Sequence, residues 1–254
     1  MQPRKPPGTP EGGRFAPSRH PESGIELPDP AGESPVPAVV DDDVLEILHR
    51  LSSSELGRRF YLAGGTALAL QIGHRRSNDL DYFTYGERID RGKTLRAVER
   101  VLSAGGRVET VLSEPGQLDL AVGPQRRKVS FIAYPFPLSR PRVTVEGQGC
   151  ADVLEIAAMK AYTLGRRATA RDYVDIEAAI TKAGVTLDEI VSVARSRFVL
   201  GGESVFSERM FLQQLVYTED LEDDQGLASF GASFNEVERS LRLIVADYVR
   251  RSIP

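Results

Sequence analysis

The sequence is poor in the residue types that form disulfide bonds and zinc sites. Its 254 residues include one cysteine, Cys150, and three histidines. A single cysteine cannot form an internal disulfide, and zinc sites need clustered cysteine and histidine ligands. We therefore expect no zinc centre, and we interpret Cys150 as a structural or incidental thiol.

Long apolar runs are also missing. No run approaches the roughly 18 residues that cross a bilayer, and the first residues lack the apolar core of a secretory signal. We therefore expect a cytoplasmic protein without a membrane partner. The net charge of -4 argues against binding nucleic acid by bulk charge. The arginines nevertheless cluster locally, so a local basic surface could meet RNA or a triphosphate.

Composition divides the chain into three parts. Residues 1–40 hold ten of the sixteen prolines and few large apolar side chains, which predicts a disordered arm. Residues 41–150 mix helical and strand patterns, whereas residues 151–254 are helical throughout. The sequence therefore predicts an α/β (α+β) domain with a mostly antiparallel or mixed sheet, followed by an all-helical C-terminal half.

The predicted elements follow from apolar spacing and from turn residues. Strands are predicted at 78–84 and 143–145, with an antiparallel meander at 107–113, 117–122 and 128–134. Helices are predicted at 42–57, 67–72, 91–104, 152–165, 170–183, 187–199, 206–218 and 233–252. Thr186 with Glu189 and Ser233 with Glu236 have the spacing of capping boxes. Glycines at 226–231 indicate a loop.

The stretch from Phe60 to Thr84 carries the main chemical pattern. Gly64, Gly65 and Thr66 open a short helix, whose unpaired backbone amides would suit a phosphate. Asp79 and Asp81 are two apart on the next strand and therefore share one face, where two carboxylates suit a divalent metal. A phosphate site followed by a metal pair suggests nucleotide chemistry.

This stretch resembles a known family. The run AGGTALALQIGHRRSNDLDYFT resembles the signature of nucleotidyltransferase toxins of the abortive-infection type, AbiEii/AbiGii, in the polymerase-β-like nucleotidyltransferase superfamily. The resemblance continues through KVSFIAYPFPL and LEIAAMKAYTLGRRATARDYVDI, and covers about residues 42–180. It implies magnesium-dependent (Mg²⁺) transfer of a nucleotide from a nucleoside triphosphate to an acceptor hydroxyl. A tRNA end is a plausible acceptor, and a cognate antitoxin is the expected partner.

Residue by residue, the resemblance implies that Gly64, Gly65 and Thr66 hold the phosphates. It also implies that Asp79 and Asp81 bind magnesium and take part in catalysis.

The resemblance further implies catalytic roles for Lys160 and Asp172. Lys160 lies in an apolar helical stretch, where an ammonium is costly unless it meets an anion such as a triphosphate or keeps its head in water. Asp172 and Asp175 share a helix face. For Asp175 we favour an intrahelical ion pair with Arg171 over a catalytic role.

The pattern departs from the superfamily at one point. Many of its enzymes carry a third carboxylate on a later strand, where this chain has Ser130. Asp119 on the neighbouring strand could substitute, although half-exposed strand aspartates are common, so the general base stays unassigned. His74, Arg75 and Arg76 follow the short helix. We interpret His74 as a helix-end cap and assign Arg76 to a phosphate contact.

Two alternatives stay open. The missing third carboxylate is also compatible with a non-catalytic module that senses a nucleotide or binds a partner. A nucleotidyltransferase that modifies a small molecule such as an antibiotic is the other alternative.

Overall fold

A mixed sheet of seven strands organises the first half of the described chain in the computed structural model. The structure describes residues 39–102, 106–164, 166, 169–219, 221 and 233–252. The predicted arm at 1–40 therefore lies almost wholly outside the described residues, as do the loop at 226–231, the last two residues of the helix predicted at 91–104 and the side chain of Ser233.

Seven strands build the sheet: β1 (Tyr61–Ala63), β2 (Leu80–Tyr85), β3 (Val108–Glu114), β4 (Gln117–Val122), β5 (Arg127–Tyr134), β6 (Val143–Val145) and β7 (Gln148–Cys150). Their order across the sheet is β3-β4-β5-β2-β1-β7-β6. The predicted antiparallel meander is confirmed as β3, β4 and β5. Strand β2 runs parallel to β5, and β1 runs parallel to β7.

Nine helices are described: α1 (Asp42–Ser52), α2 (Glu55–Arg59), α3 (Gly64–Ile72), α4 (Arg91–Leu102), α5 (Val153–Leu164), α6 (Ala170–Thr181), α7 (Leu187–Arg197), α8 (Glu208–Val216) and α9 (Ser233–Ser252). The fold-class prediction, a mixed α/β sheet with a helical C-terminal half, is confirmed.

Some boundaries differ from the sequence prediction. The helix predicted at 42–57 is two helices, because Ser54 accepts a hydrogen bond from the Leu56 amide and starts α2. The helix predicted at 187–199 ends at Arg197, since the chain there enters a hairpin of β8 (Val199–Leu200) and β9 (Glu203–Ser204). Thr186 and Glu189 form the predicted capping box.

Helix α3 connects the sheet to the later helices. It packs against β1 and β2 on one side and against α5 and α6 on the other. Its buried residues Ala67, Leu68 and Ala69 are completely enclosed. The start of α3, which the sequence marks as a phosphate site, is therefore held between the sheet and the helical half.

A buried ion pair joins α5 to the end of α7. Glu155 and Arg197 have fully buried side chains, and their charged atoms lie 2.5 Å apart. Glu155 also accepts hydrogen bonds from the backbone amides of Ser139 and Arg140, at 2.7 and 2.9 Å. The proline-rich segment after β5 is thus tied to the helix that carries Lys160.

Cys150 is buried at the end of β7, and burial raises the pKa of its thiol to about 12. A thiol held in its neutral form fits the structural interpretation. Across the described residues, no helix combines the length and apolar character that crossing a membrane requires.

Candidate active site

A cleft of about 330 Å³ opens where α3 meets the sheet and where α5 and α6 pack over it. Its polar lining comprises Gly64, Gly65, Arg75, Ser77, Asp79, Asp81, Gln117, Lys128, Ser130, Lys160, Thr163, Thr169, Arg171 and Asp172. Its apolar lining comprises Phe83, Ile132, Ile156 and Met159. Six of the eight predicted site residues thus line one cavity: Gly64, Gly65, Asp79, Asp81, Lys160 and Asp172.

The glycine pair leaves no room for side chains. Gly64 has a φ of +75°, and a Cβ there would lie 2.6 Å from Asp81 Oδ2. A Cβ on Gly65 would overlap with Arg75 Nη2. Two glycines therefore allow the start of α3 to approach both the carboxylate and the guanidinium.

Thr66 lies differently from its two neighbours. Its side chain is fully buried, and its hydroxyl donates to Ser77 Oγ at 2.9 Å. Thr66 does not line the cleft, so only its backbone amide is left for the predicted phosphate contact. The buried hydroxyl instead fixes the segment that leads to Asp79.

Asp79 and Asp81 both line the cleft, as the two-residue spacing predicts. Burial raises the pKa of Asp81, and the charge of Asp79 adds to the shift, although Lys128 opposes it. Two carboxylates that face one cleft, one of them disfavoured as an anion by its burial, are suited to binding a divalent cation. Within the described ranges, no third acid, histidine or cysteine completes a protein-only metal cage.

Lys160 enters the cleft from α5 with two carboxylates beside it. Its Nζ lies 2.9 Å from Asp172 Oδ1 and 2.6 Å from Asp175 Oδ2. Burial alone would lower the pKa of Lys160, but the two anions outweigh it and raise the pKa. Asp172 Oδ2 accepts a hydrogen bond from the Thr169 hydroxyl at 2.9 Å. The anion that the buried lysine needs is therefore supplied within the protein.

Asp175 is the centre of a buried network. Its Oδ1 lies 2.6 Å from His74 Nε2, and Arg75 donates to its two oxygens at 2.6 and 3.0 Å. Burial would raise the pKa of Asp175, but Lys160, His74 and Arg75 hold it far below its usual range. The predicted ion pair between Asp175 and Arg171 is wrong, because these three partners occupy the carboxylate.

His74 is not the predicted helix-end cap. Helix α3 ends at Ile72 and is capped by Gly73, which has a φ of +62° and whose amide donates to the Ala69 carbonyl. His74 follows with its side chain almost completely buried against Asp175.

The two adjacent arginines have different positions. Arg76, the residue assigned to phosphate, has a side chain that is 68% exposed, pairs with Asp41 and does not line the cleft. Arg75 lines the cleft beside Gly65. Only one of two sequential side chains can face the cleft here, and the sequence does not show which.

The floor of the cleft contains groups that the sequence analysis did not assign. Lys128, Ser130 and Ile132 alternate along β5 and therefore share its cleft face. The alternation of side chains along β5 is the sequence feature that could have predicted Lys128 on the cleft face. Asp119 on β4 is 8% exposed, not half-exposed, and both of its oxygens accept from the Gln117 amide.

A mixed sheet that places two aspartates beside a glycine-opened helix defines a nucleotidyltransferase-type domain. Residues 46–238 match the family model "Nucleotidyl transferase AbiEii toxin, Type IV TA system". The match covers most of the chain, which therefore belongs to this family. The prediction of a nucleotidyltransferase enzyme of a toxin–antitoxin family is confirmed.

Individual proteins are similar to most of this chain. An uncharacterized protein of Aquifex aeolicus (strain VF5), aq_aa25, is 28% identical over 207 residues, which cover 80% of this chain and 95% of that protein. The crystal structure of JHP933 from Helicobacter pylori superposes with a TM-score of 0.52 at 19% identity, over 84% of this chain and 96% of that one. This likeness concerns the fold.

MenT4, a nucleotidyltransferase toxin of Mycobacterium tuberculosis H37Rv, gives a TM-score of 0.46 at 20% identity. The alignment covers 82% of this chain and 84% of MenT4.

Proposed function

We propose that this protein transfers a nucleotide from a magnesium-bound nucleoside triphosphate to a hydroxyl at the end of an RNA, with a tRNA end as the leading candidate. The observation that carries the proposal is the meeting of the glycine turn, the aspartate pair and Lys160 in one cleft. Family membership supports the reaction class, and the cleft supports the assignment of individual residues.

Asp79 and Asp81 would hold the magnesium ion. Their carboxylates face one cavity, and burial raises the pKa of Asp81 although Lys128 opposes the shift. When bound, magnesium supplies positive charge that stabilises the phosphate oxygens during transfer.

The start of α3 would hold the triphosphate. Backbone amides at Gly64, Gly65 and Thr66 are the unpaired donors of a helix N-terminus, and they favour an anion. Arg75 lies against Gly65 and adds a guanidinium. We therefore assign the phosphate contact to Arg75 in place of Arg76.

Further positive charge comes from Lys128 and Arg171. Both side chains line the cleft, and neither forms a close ion pair with any residue that the structure describes. Lys160 in contrast is already paired with Asp172 and Asp175. We assign Lys160 to a phosphate contact and Asp172 to fixing the direction of the Lys160 ammonium. Lys128 and Arg171 would neutralise the remaining phosphate charge.

In the proposed reaction the acceptor oxygen attacks the α-phosphorus in line with the leaving group. A bond forms between that oxygen and phosphorus, the bond from phosphorus to the bridging oxygen breaks, and pyrophosphate leaves. The proton of the acceptor hydroxyl passes to solvent. The role of the chain is to position the two reactants and to balance their charge.

A labelled-nucleotide assay tests the proposal. Purified protein is incubated with magnesium, total RNA and each common nucleoside triphosphate in turn. Wild type should label RNA ends, and Asp79→Ala should not. Glu87→Ala removes an exposed acid shortly after β2 and should label RNA as wild type does. Absence of labelling by wild type with every nucleotide, or equal labelling by Asp79→Ala, would contradict the proposal.

The family also motivates a proposal about biological context. A type IV toxin–antitoxin family implies a cognate antitoxin, and an RNA acceptor implies action in the cytoplasm. Induced expression of wild type should slow bacterial growth, and co-expression of the antitoxin should restore it. Growth that is equally slow with Asp79→Ala would show that the toxicity does not come from this cleft.

A further inference from the structure

A row of three polar side chains crosses the floor of the cleft on adjacent strands. Asp81 on β2 is in register with Ser130 on β5, and Ser130 is in register with Asp119 on β4. Directly opposite residues project from the same face of a sheet. The proposed function uses only the first member of this row.

Ser130 is the middle member, and its hydroxyl has no partner. The residue is 1% exposed, lines the cleft, and its Oγ makes no hydrogen bond within the part of the chain that the structure describes. Buried hydroxyl groups in proteins are almost always hydrogen-bonded, because an unmade bond is costly. The unpaired Oγ therefore indicates a ligand group above β5.

Gln117 and Asp119 on β4 lie next to Ser130 and add further polar groups. Gln117 lines the cleft, and its amide nitrogen donates to both oxygens of Asp119, at 2.9 and 3.0 Å. With the nitrogen engaged, the amide oxygen is the group that Gln117 offers to the cleft. Asp119 is a nearly buried carboxylate whose described partner is this neutral amide, so its evident effect is to orient Gln117.

The positions of Ser130 and Gln117 in the sheet indicate that they face the acceptor. The glycine turn and Arg75 lie on the β1 side of Asp81, whereas Ser130 and Gln117 lie on the β5 and β4 side. In-line displacement requires the attacking and leaving oxygens to lie on opposite sides of the phosphorus. A triphosphate held at the start of α3 would therefore be attacked from the side of β5 and β4.

We propose that Ser130 and Gln117 form the subsite that binds the attacking hydroxyl, and that Asp119 is the positioning residue that fixes the Gln117 amide. This inference rests on the proposed function and names its acceptor site. The ligand is a ribose hydroxyl at the 3′ end of an RNA. The hydroxyl donates to the Gln117 amide oxygen and accepts a hydrogen bond from the Ser130 hydroxyl.

The test measures binding without turnover. A short fluorescein-labelled RNA with a 3′-terminal ribose is compared with the same RNA ending in a dideoxyribose, in the presence of magnesium and a non-hydrolysable triphosphate analogue. Fluorescence anisotropy should show that wild type binds the hydroxyl-ended RNA about fivefold more tightly, as expected for a net gain of one hydrogen bond. Gln117→Leu and Ser130→Ala should reduce this ratio to about one.

Nucleotide affinity separates this role from a structural one. In Gln117→Leu, Ser130→Ala and Asp119→Asn, calorimetry should give an affinity for the magnesium–analogue complex within about twofold of wild type, since one lost contact outside the phosphate site leaves that binding unchanged. Asp119→Asn should lower the hydroxyl preference because the Gln117 amide loses its charged acceptor. Ser113→Ala, an exposed serine change on β3, is the matched control and should keep the preference.

Three results would overturn the subsite: equal affinities of wild type for the two RNAs, an unchanged preference in Gln117→Leu and Ser130→Ala, or a matching loss of nucleotide affinity. The outcome is independent of the transfer assay. A preserved hydroxyl preference without transfer would count against the proposed function alone, whereas transfer by wild type with an unchanged preference in the variants would count against the subsite alone.

Discussion

Asp175 on α6 accepts hydrogen bonds from both Nε and Nη2 of Arg75, a residue one hundred positions earlier in the chain, at 2.6 and 3.0 Å. The same guanidinium lies against Gly65 at the start of α3. The helical half of the protein therefore sets the position of a cation at the proposed phosphate site. A change at Asp175 should disturb both stability and nucleotide binding.

We expect Asp175→Asn to lower the free energy of unfolding by about 3–5 kcal/mol, because it removes the shared anion of a buried ionic network. Urea denaturation measures this change. Arg171→Ala is the control and should change stability by no more than about 0.5 kcal/mol, since Arg171 is not a partner of Asp175. A loss in Arg171→Ala that equals the loss in Asp175→Asn would contradict the network described here.

Asp81→Asn should make the protein more stable at neutral pH when no divalent cation is present. The pKa of Asp81 is raised in the folded state, so the ionised form is disfavoured by folding above that pKa. The advantage of the variant should shrink as the pH falls through the raised folded pKa, and vanish below the unfolded value of about 3.9.

Thermal melts with and without magnesium measure this effect. Magnesium should raise the Tm of wild type and leave the Tm of Asp81→Asn unchanged. Glu87→Gln, an exposed change, should respond to magnesium as wild type does. Equal stabilisation of Asp81→Asn by magnesium would place the cation elsewhere.

Gly64→Ala should impair metal binding more than backbone strain alone explains. The substitution adds a positive-φ cost of about 1–3 kcal/mol and also forces the Asp81 carboxylate to move. Gly73→Ala is the matched control, because Gly73 also has a positive φ but a Cβ there meets nothing within 4 Å. Calorimetry should show weaker magnesium–nucleotide binding only in Gly64→Ala. Equal loss in both variants would contradict the close contact.

Arg75→Ala and Arg76→Ala should behave differently although the residues are neighbours. Arg75→Ala should raise the KM for the nucleotide by about tenfold or more, as expected for loss of a charged hydrogen bond of about 1.5–3 kcal/mol. Arg76→Ala removes a largely exposed ion pair with Asp41 and should change KM less than twofold. Steady-state kinetics with varied nucleotide measures both values. The opposite order would restore the assignment of Arg76.

The different positions of Arg75 and Arg76 show which parts of the site can be predicted from local sequence patterns. The glycine turn and the aspartate spacing are short-range features, so they placed Gly64, Gly65, Asp79 and Asp81 around one cavity. The side to which Arg75 turns depends on Asp175, which is distant in sequence, and no local pattern carries that information.

Dependence on residues distant in sequence also explains the errors in the prediction of the fold. The meander and the long helices have clear periodicity and were predicted, whereas β1 and β7 are three residues each and depend on pairing with distant strands. Leu62 on β1 pairs with Cys150 on β7, far apart in the chain. The burial of Asp119 was missed for a related reason, since alternation alone does not tell which face of β4 is covered.

Transfer of label from the α-phosphate tests the central claim most directly. Wild-type protein, magnesium and RNA are incubated in parallel with the same triphosphate labelled at the α- or at the γ-phosphate. We predict that RNA acquires the α-label, that the γ-label leaves as pyrophosphate, and that both events stop in Asp79→Ala. Transfer of the γ-label to RNA, or α-labelling that persists in Asp79→Ala, would contradict nucleotidyl transfer by this cleft.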